Sequence, residues 1–135
     1  MELIDYPKEI IPGNEYKIKY KVESNWFDNY DQVNIYDNSK KYCTVSNKIY
    51  MNRHLNPFVS YEVEVIIRGS VLLNINYDFS IDLLYFGWFF FLAVGIERKV
   101  LNYKNNGSKF VLDTITDDLI CEKEPVFMPP VIAPG

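Results

Sequence analysis

Hydrophobic and polar positions alternate over much of the chain. In "IIPGNEYKIKYKVES" a Pro12-Gly13 turn precedes Tyr16, Ile18, Tyr20 and Val22 on one side and Lys17, Lys19 and Lys21 on the other. That is the period-two signature of a half-buried strand. "SNWFDNYD" breaks the alternation and reads as a loop. "QVNIYD" and "KYCTVS" flank "NSK", a hairpin signal, and "NKIYMN" suits another short strand before the connection "NRHLNP". Further on, Val63, Val65 and Ile67 alternate with Glu62, Glu64 and Arg68. Past "RGS", Leu73, Ile75, Tyr77, Phe79 and Ile81 alternate with Asn74, Asn76, Asp78, Ser80 and Asp82. Two alternating runs around a Gly-containing turn predict a hairpin. "RKVLNYKNNGSKFVLDTIT" predicts a second one around "NNGS", and "DLICE" suits a last short strand.

Residues 83–96, "LLYFGWFFFLAVGI", do not fit this rhythm. They form an uncharged run of fourteen residues with five Phe or Trp. A membrane-spanning helix needs about 20 apolar residues, so the run is too short for one. A strand buried on both faces is continuously apolar. Its length calls for a bend or bulge at Gly87 or Gly95. A buried helix capped by Ser80 is the alternative. Either way the run is expected in the core, with an apolar ligand pocket lined by its rings as the functional variant.

About eight strands separated by turns predict a mainly β, single-domain antiparallel sandwich or barrel-like fold, with room for one short helix. The predicted domain covers residues 1–123. Residues 124–135 hold four of the seven prolines and read as an extended Pro-rich tail.

Composition agrees. Hydrophobic residues make up 48% of the 135 and charged residues 24%, which excludes a disordered chain. The beginning, "MELIDYPKEIIPGNEYKIKY", shows no basic stretch followed by an apolar one, so no signal peptide is predicted. Cys43 and Cys121 are then expected as reduced thiols in the cytoplasm.

Little chemistry is visible. His54 is the one histidine, and neither cysteine sits in a nucleophile motif with it. The scattered glycines form no phosphate loop. Ligands for zinc are too few, and no calcium loop occurs. No enzyme, cofactor or metal is expected. Lys17, Lys19 and Lys21 read as the solvated side of an edge strand rather than a nucleic-acid stripe.

Charge is the remaining signal. The net charge is −4. Residues 23–39 carry Glu23, Asp28, Asp31 and Asp37 with no cation. Residues 111–124 carry Asp113, Asp117, Asp118, Glu122 and Glu124 against Lys123. Each segment is −4, so the rest of the chain is +4. The first segment mixes its acids with Trp26, Phe27 and Tyr30. Aromatic anchors beside carboxylates suit an interface with a basic protein. The expected contact residues are therefore Trp26, Phe27, Asp28, Tyr30, Asp31 and Asp37. The rival patch is Asp113, Asp117, Asp118 and Glu122. The corresponding role is a small cytoplasmic inhibitor, of the immunity type, that blocks a basic nuclease-like toxin. A barrel for an apolar small molecule and an assembly subunit docking through residues 124–135 are the alternatives. Direct nucleic-acid binding and membrane insertion are not expected, and the oligomeric state is left open.

Overall fold

The computed structural model describes residues 1–23, 28–38, 42–56, 58–68, 77–89, 92–119 and 122–123; within these, the side chains of 28, 42–54, 89, 93–95 and 122–123 are not described. Every regular element among them is a strand. In chain order these are β1 (Glu2–Asp5), β2 (Glu9–Ile10), β3 (Tyr16–Glu23), β4 (Asp28–Asp37), β5 (Tyr42–Leu55), β6 (Ser60–Ile67), β7 (Phe79–Phe89), β8 (Leu92–Asn105), β9 (Phe110–Thr116) and β10 (Glu122–Lys123). They form a three-stranded sheet, β1-β3-β6, and a seven-stranded sheet, β10-β5-β4-β7-β8-β9-β2. All pairings are antiparallel except that of β10 with β5. The mainly β, sandwich-like expectation holds.

The core lies between the sheets. The small sheet contributes Ile18, Tyr20, Val22, Val63, Val65 and Ile67. The large one contributes Val33, Ile35, Phe79, Ile81, Leu83, Tyr85, Leu101 and Tyr103, with Phe110 and Ile10 closing one end. Alternation puts them there: Ile18 faces Val65 in register and Tyr20 faces Val63, while Ile35 faces Ile81 and Val33 faces Leu83. Phe79 stacks on Tyr103 at 5.0 Å and meets Phe110 edge-on at 4.6 Å, both favoured ring geometries.

Two turns depend on glycine. Gly13 (φ 98°) and Gly107 (φ 87°) both occupy the left-handed region, which residues with a Cβ enter at a cost. Asn14 N–H closes the first turn on the Ile11 carbonyl, and Asn106 N–H closes the β8–β9 hairpin on Lys109.

Several expectations change. Of the hairpin expected around "RGS", residues 69–76 lie outside the described residues. β6 pairs with β3 in the small sheet, whereas β7 sits at the middle of the large one. Alternation reports which face is buried but not which neighbour a strand takes. β3 is a central strand, so its lysines do not guard an edge. Lys17 and Lys19 instead approach Glu64 at 3.4 and 3.8 Å. "KYCTVS", "NKIYMN" and most of "NRHLNP" merge into the single strand β5. The N-terminal residues, unassigned from sequence, supply β1 and β2. Among the described residues there is no helix.

The apolar run is split. Residues 83–89 end β7 and 92–96 begin β8, so it is a hairpin rather than one long strand. The expected bulge is present: Phe86 pairs with Ile96 and Gly87 with Val94, leaving Gly95 as the extra residue. Burial is also split. Leu83 and Tyr85 are in the core, but Leu92 is 71% and Ile96 70% exposed.

The large sheet cannot be flat. In register, Thr116 leads through Val100, Asp82 and Asn34 to Lys48, six positions along β5 from Tyr42, the partner of Glu122. In a flat sheet Thr116 and Glu122 would lie about 30 Å apart, from five strand spacings of about 4.8 Å and about 20 Å of strand. Six Cα steps reach at most about 23 Å. The sheet therefore curls into a half-barrel, bringing its β9 and β5 sides together.

These positions set the stability map. Ile81→Ala should cost about 2–5 kcal/mol in urea unfolding, by loss of burial and a cavity. Ile96→Ser, within the same hairpin, should change stability by no more than about 0.5 kcal/mol.

Candidate functional site

The described residues of the first acidic segment do not form one surface. Trp26 and Phe27 lie outside the described residues. Asp28 starts β4 opposite Trp88. Asn29, Asp31, Val33 and Ile35 share the face turned toward the small sheet, so Asp31 is fully buried. It lies 3.4 Å from the Tyr20 hydroxyl, a long hydrogen bond. Beside it, the Tyr85 hydroxyl shares its proton between Asn29 Oδ1 (2.8 Å) and the Glu23 carbonyl (2.9 Å). Asp31 is thus an internal polar group, which corrects its expected place at an interface. Tyr30 faces the opposite side and stacks on Phe86, with centroids 5.6 Å apart. Asp37 is half-buried opposite Phe79. His54, set aside as chemistry, is in β5 with its backbone opposite Tyr30.

The rival patch divides as well. Asp113 occupies the bulge between Asn102–Thr114 and Tyr103–Leu112 and pairs with Lys104 at 3.7 Å. Glu122 belongs to β10, and its side chain lies outside the described ones. Asp117 and Asp118 remain together, just past β9. Asp117 is bound by Lys99 at 2.7 Å. Asp118 is exposed, and only its backbone carbonyl is engaged, by the Thr116 hydroxyl at 2.7 Å.

What the alternation hides is the other face of the large sheet. Tyr36, Ser80, Asp82, Val100 and Asn102 are buried there, none more than 3% exposed, and none belongs to the core between the sheets. Ser80 and Asp82 occupy positions that the pattern assigns to the polar side of a half-buried strand. Both are nonetheless shut off from water. Their hydrogen bonds run in one direction across the strands. Asn38 Nδ2 donates to Ser80 Oγ (2.7 Å), and Ser80 Oγ donates to Asn102 Oδ1 (2.7 Å). Asn102 Nδ2 then donates to Thr114 and Thr116 (3.2 and 3.1 Å). Each buried polar group in this ladder is satisfied, as it must be.

One row along, Arg98 Nε approaches Asp82 Oδ1 at 2.9 Å. The approach lies off the line of a good hydrogen bond, so charge attraction dominates. Asp82 is fully buried while Arg98 is partly exposed. Burial raises the Tyr36 pKa above its ordinary value of 10.0. The Asp82 charge adds to the rise, against smaller opposing effects of Arg98 and Asn34. In the other core, burial raises Tyr103 too, and Tyr6 adds to it.

Arg98 also opens outward. With Ile96, Lys99, Asp117 and Asp118 it lines a cleft of about 560 Å³ that includes Met1 and Glu97. A second hollow of about 330 Å³ lies between β1 residues Glu2 and Leu3 and Ile115 of β9; it shares Met1 and Lys99 with the first. Along the hairpin from Ile96 lie exposed Leu92 and Trp88. The rival acids and the exposed part of the apolar run therefore meet. No sequence pattern placed them together, since residues 96 and 117 join only through the pairing of β8 with β9.

Among the described residues no three His, Cys, Asp or Glu side chains are placed to hold a metal ion, and no helix is long and apolar enough to cross a membrane. Set against known proteins, the chain matches no family model, no curated protein and no solved structure.

Two outcomes test this electrostatic reading. Arg98→Leu removes the cation 2.9 Å from the buried Asp82 carboxylate and should lower stability in urea unfolding; Asp82→Leu with Arg98→Leu should recover part of the loss. Tyr36 keeps its proton when folded at a pH where the unfolded chain loses it. Its contribution is therefore full below about pH 10 and falls as pH rises further, because the unfolded state binds fewer protons. Tyr36→Phe should flatten that alkaline fall, with Tyr103 supplying what persists.

Proposed function

We propose that this protein is a binding module that blocks a basic protein partner through the cleft at the start of β8. The reading is carried by one observation: Ile96, 70% exposed, lines the same cleft as Asp117 and Asp118. An apolar anchor bordered by carboxylates combines desolvation at a centre with charge at a rim. Glu97, Asp117 and Asp118 balance Arg98, Lys99 and the Met1 amino group there, and with Arg98 offset by Asp82 beneath it, the exposed Asp118 carboxylate is the charge left over. Acidic sites of this kind accelerate the approach of cationic partners.

An immunity-type inhibitor of a nuclease-like toxin is the role that best suits these features. The active surface of such a toxin is basic, since it must hold phosphate, and acidic groups that cover it compete with nucleic acid. A cytoplasmic location belongs to this role. The contact centre differs from the one expected from sequence, moving from the Trp26 segment to the β8–β9 side.

The partner should be recovered as a stoichiometric basic protein from native lysate and measured by surface plasmon resonance at two salt concentrations. Ile96→Ser should weaken binding about 30-fold or more, the equivalent of about 2 kcal/mol for a buried anchor, mainly through faster dissociation. Asp117→Asn with Asp118→Asn should slow association and flatten its salt dependence. Binding that is unaltered in all these variants, or recovery of an acidic partner, would refute the assignment.

A further inference from the structure

We infer that Asn106, at the tip of the β8–β9 hairpin, is a site of spontaneous deamidation, and that Asn105 is the positioning residue that restrains it. Neither residue takes part in the binding reading above. The chemistry needs an asparagine followed by a residue whose backbone nitrogen can reach the side-chain carbonyl carbon. Glycine permits this best, because it has no side chain in the way and the least restricted backbone. Asn106-Gly107 is the one Asn-Gly step in the chain. The reacting groups are neighbours in one chain, so the step has the advantage of proximity. The Gly107 nitrogen attacks Asn106 Cγ. An N–Cγ bond forms, the Cγ–Nδ2 bond breaks, and ammonia leaves with the proton that the Gly107 nitrogen gives up. The cyclic imide then takes up one water. Opening at Cγ leaves aspartate at position 106. Opening at the backbone carbonyl leaves isoaspartate, with the main chain routed through the side chain.

Exposure favours the reaction. Asn106, Gly107 and Ser108 are all exposed, so water and hydroxide reach the tip. A Cβ at Gly107 would meet nothing within 4 Å, so no neighbouring element crowds the step. What opposes it is one side chain. Gly107 N–H donates to Asn105 Oδ1 at 2.7 Å, the local bond by which an asparagine holds the backbone two residues on. The attacking nitrogen must give up that proton and turn toward Cγ, and Asn105 holds it against both. Asn105 is fixed in turn, because its own N–H donates to Asp78 Oδ1 at 2.8 Å. The Asn106 N–H bond to the Lys109 carbonyl, at 2.8 Å, keeps the turn closed around the pair.

The two products differ in their effect on the fold. Aspartate adds a negative charge at an exposed position. Isoaspartate adds a methylene to the main chain of a turn that sets Asn105 opposite Phe110, and Phe110 closes one end of the core. The isoaspartate form should therefore unfold at a lower urea concentration than the aspartate form.

The full chain is held in mildly alkaline buffer, folded and, in parallel, unfolded in urea. Trypsin then cuts after Lys104 and Lys109, and mass spectrometry with fragmentation follows amide loss at each residue of the released peptide and elsewhere in the chain. In the folded chain, amide loss should begin at Asn106, at least tenfold more slowly than in the unfolded chain. Asn105→Ala should accelerate the folded rate several-fold and leave the unfolded rate nearly unaltered. Asn105→Asp keeps an oxygen for the Gly107 N–H and should retain the slow rate, which a merely structural effect of losing asparagine would not predict. Amide loss that begins at another residue, or an Asn106 amide that persists in folded Asn105→Ala while the unfolded chain converts, would overturn the site. Equal folded rates in the parent chain, Asn105→Ala and Asn105→Asp would overturn the role of Asn105.

Discussion

From Phe79 to Leu83 strand β7 is buried on both faces, and the rest of the architecture answers that constraint. One face carries Phe79, Ile81, Leu83 and Tyr85 into the core between the sheets. The other carries Ser80 and Asp82, equally without water. An apolar face needs only a packed neighbour. A polar face needs a partner for every donor and acceptor, and an ionised carboxylate needs a cation as well. Tyr36, Asn102, Thr116 and Arg98 are held by the strands that flank β7 or lie one further out. The curl of the sheet, the register of β4, β8 and β9, and the position of Arg98 at the mouth of a cleft are all consequences of supplying them.

The fold class was legible because period-two alternation is local. β3, β6 and the "NNGS" hairpin stand where their patterns place them, and Pro12-Gly13 turns as such a pair should. Partner choice was not legible. The lysines of β3 read as an edge-strand face, yet β3 lies between β1 and β6, since pairing is decided by long-range packing. The apolar run misled for a related reason. Continuous hydrophobicity suits a fully buried strand, but here two shorter strands meet in a hairpin that joins the core only at Leu83 and Tyr85. Leu92 and Ile96 are thus left in water.

The site was less legible than the fold. Asp31 and Asp118 are alike in a charge count, and the sequence offers no sign that one is internal and the other exposed. Asp31 shares its strand face with Val33 and Ile35, a parity that became readable only once "DNYD" proved to be strand rather than loop. Asp82 was hidden by the opposite error, the assumption that the second face of a sheet is wet. That holds for an ordinary two-layer sandwich and fails when the sheet curls.

The Asn38–Ser80–Asn102–Thr116 chain of hydrogen bonds also restricts how this protein can diverge. Ser80 receives a hydrogen on one side and gives one on the other. No other small side chain except threonine does both, and a β-branched residue would have to fit a site with no free volume at its surface. Alanine at 80 strands Asn102, and an apolar residue at 102 strands Ser80. Each single step passes through a buried group without a partner, whereas the paired change to two apolar residues does not. Descendants of this chain should therefore retain both positions or exchange them together, and that paired inheritance would identify a relative after the surface had changed beyond recognition.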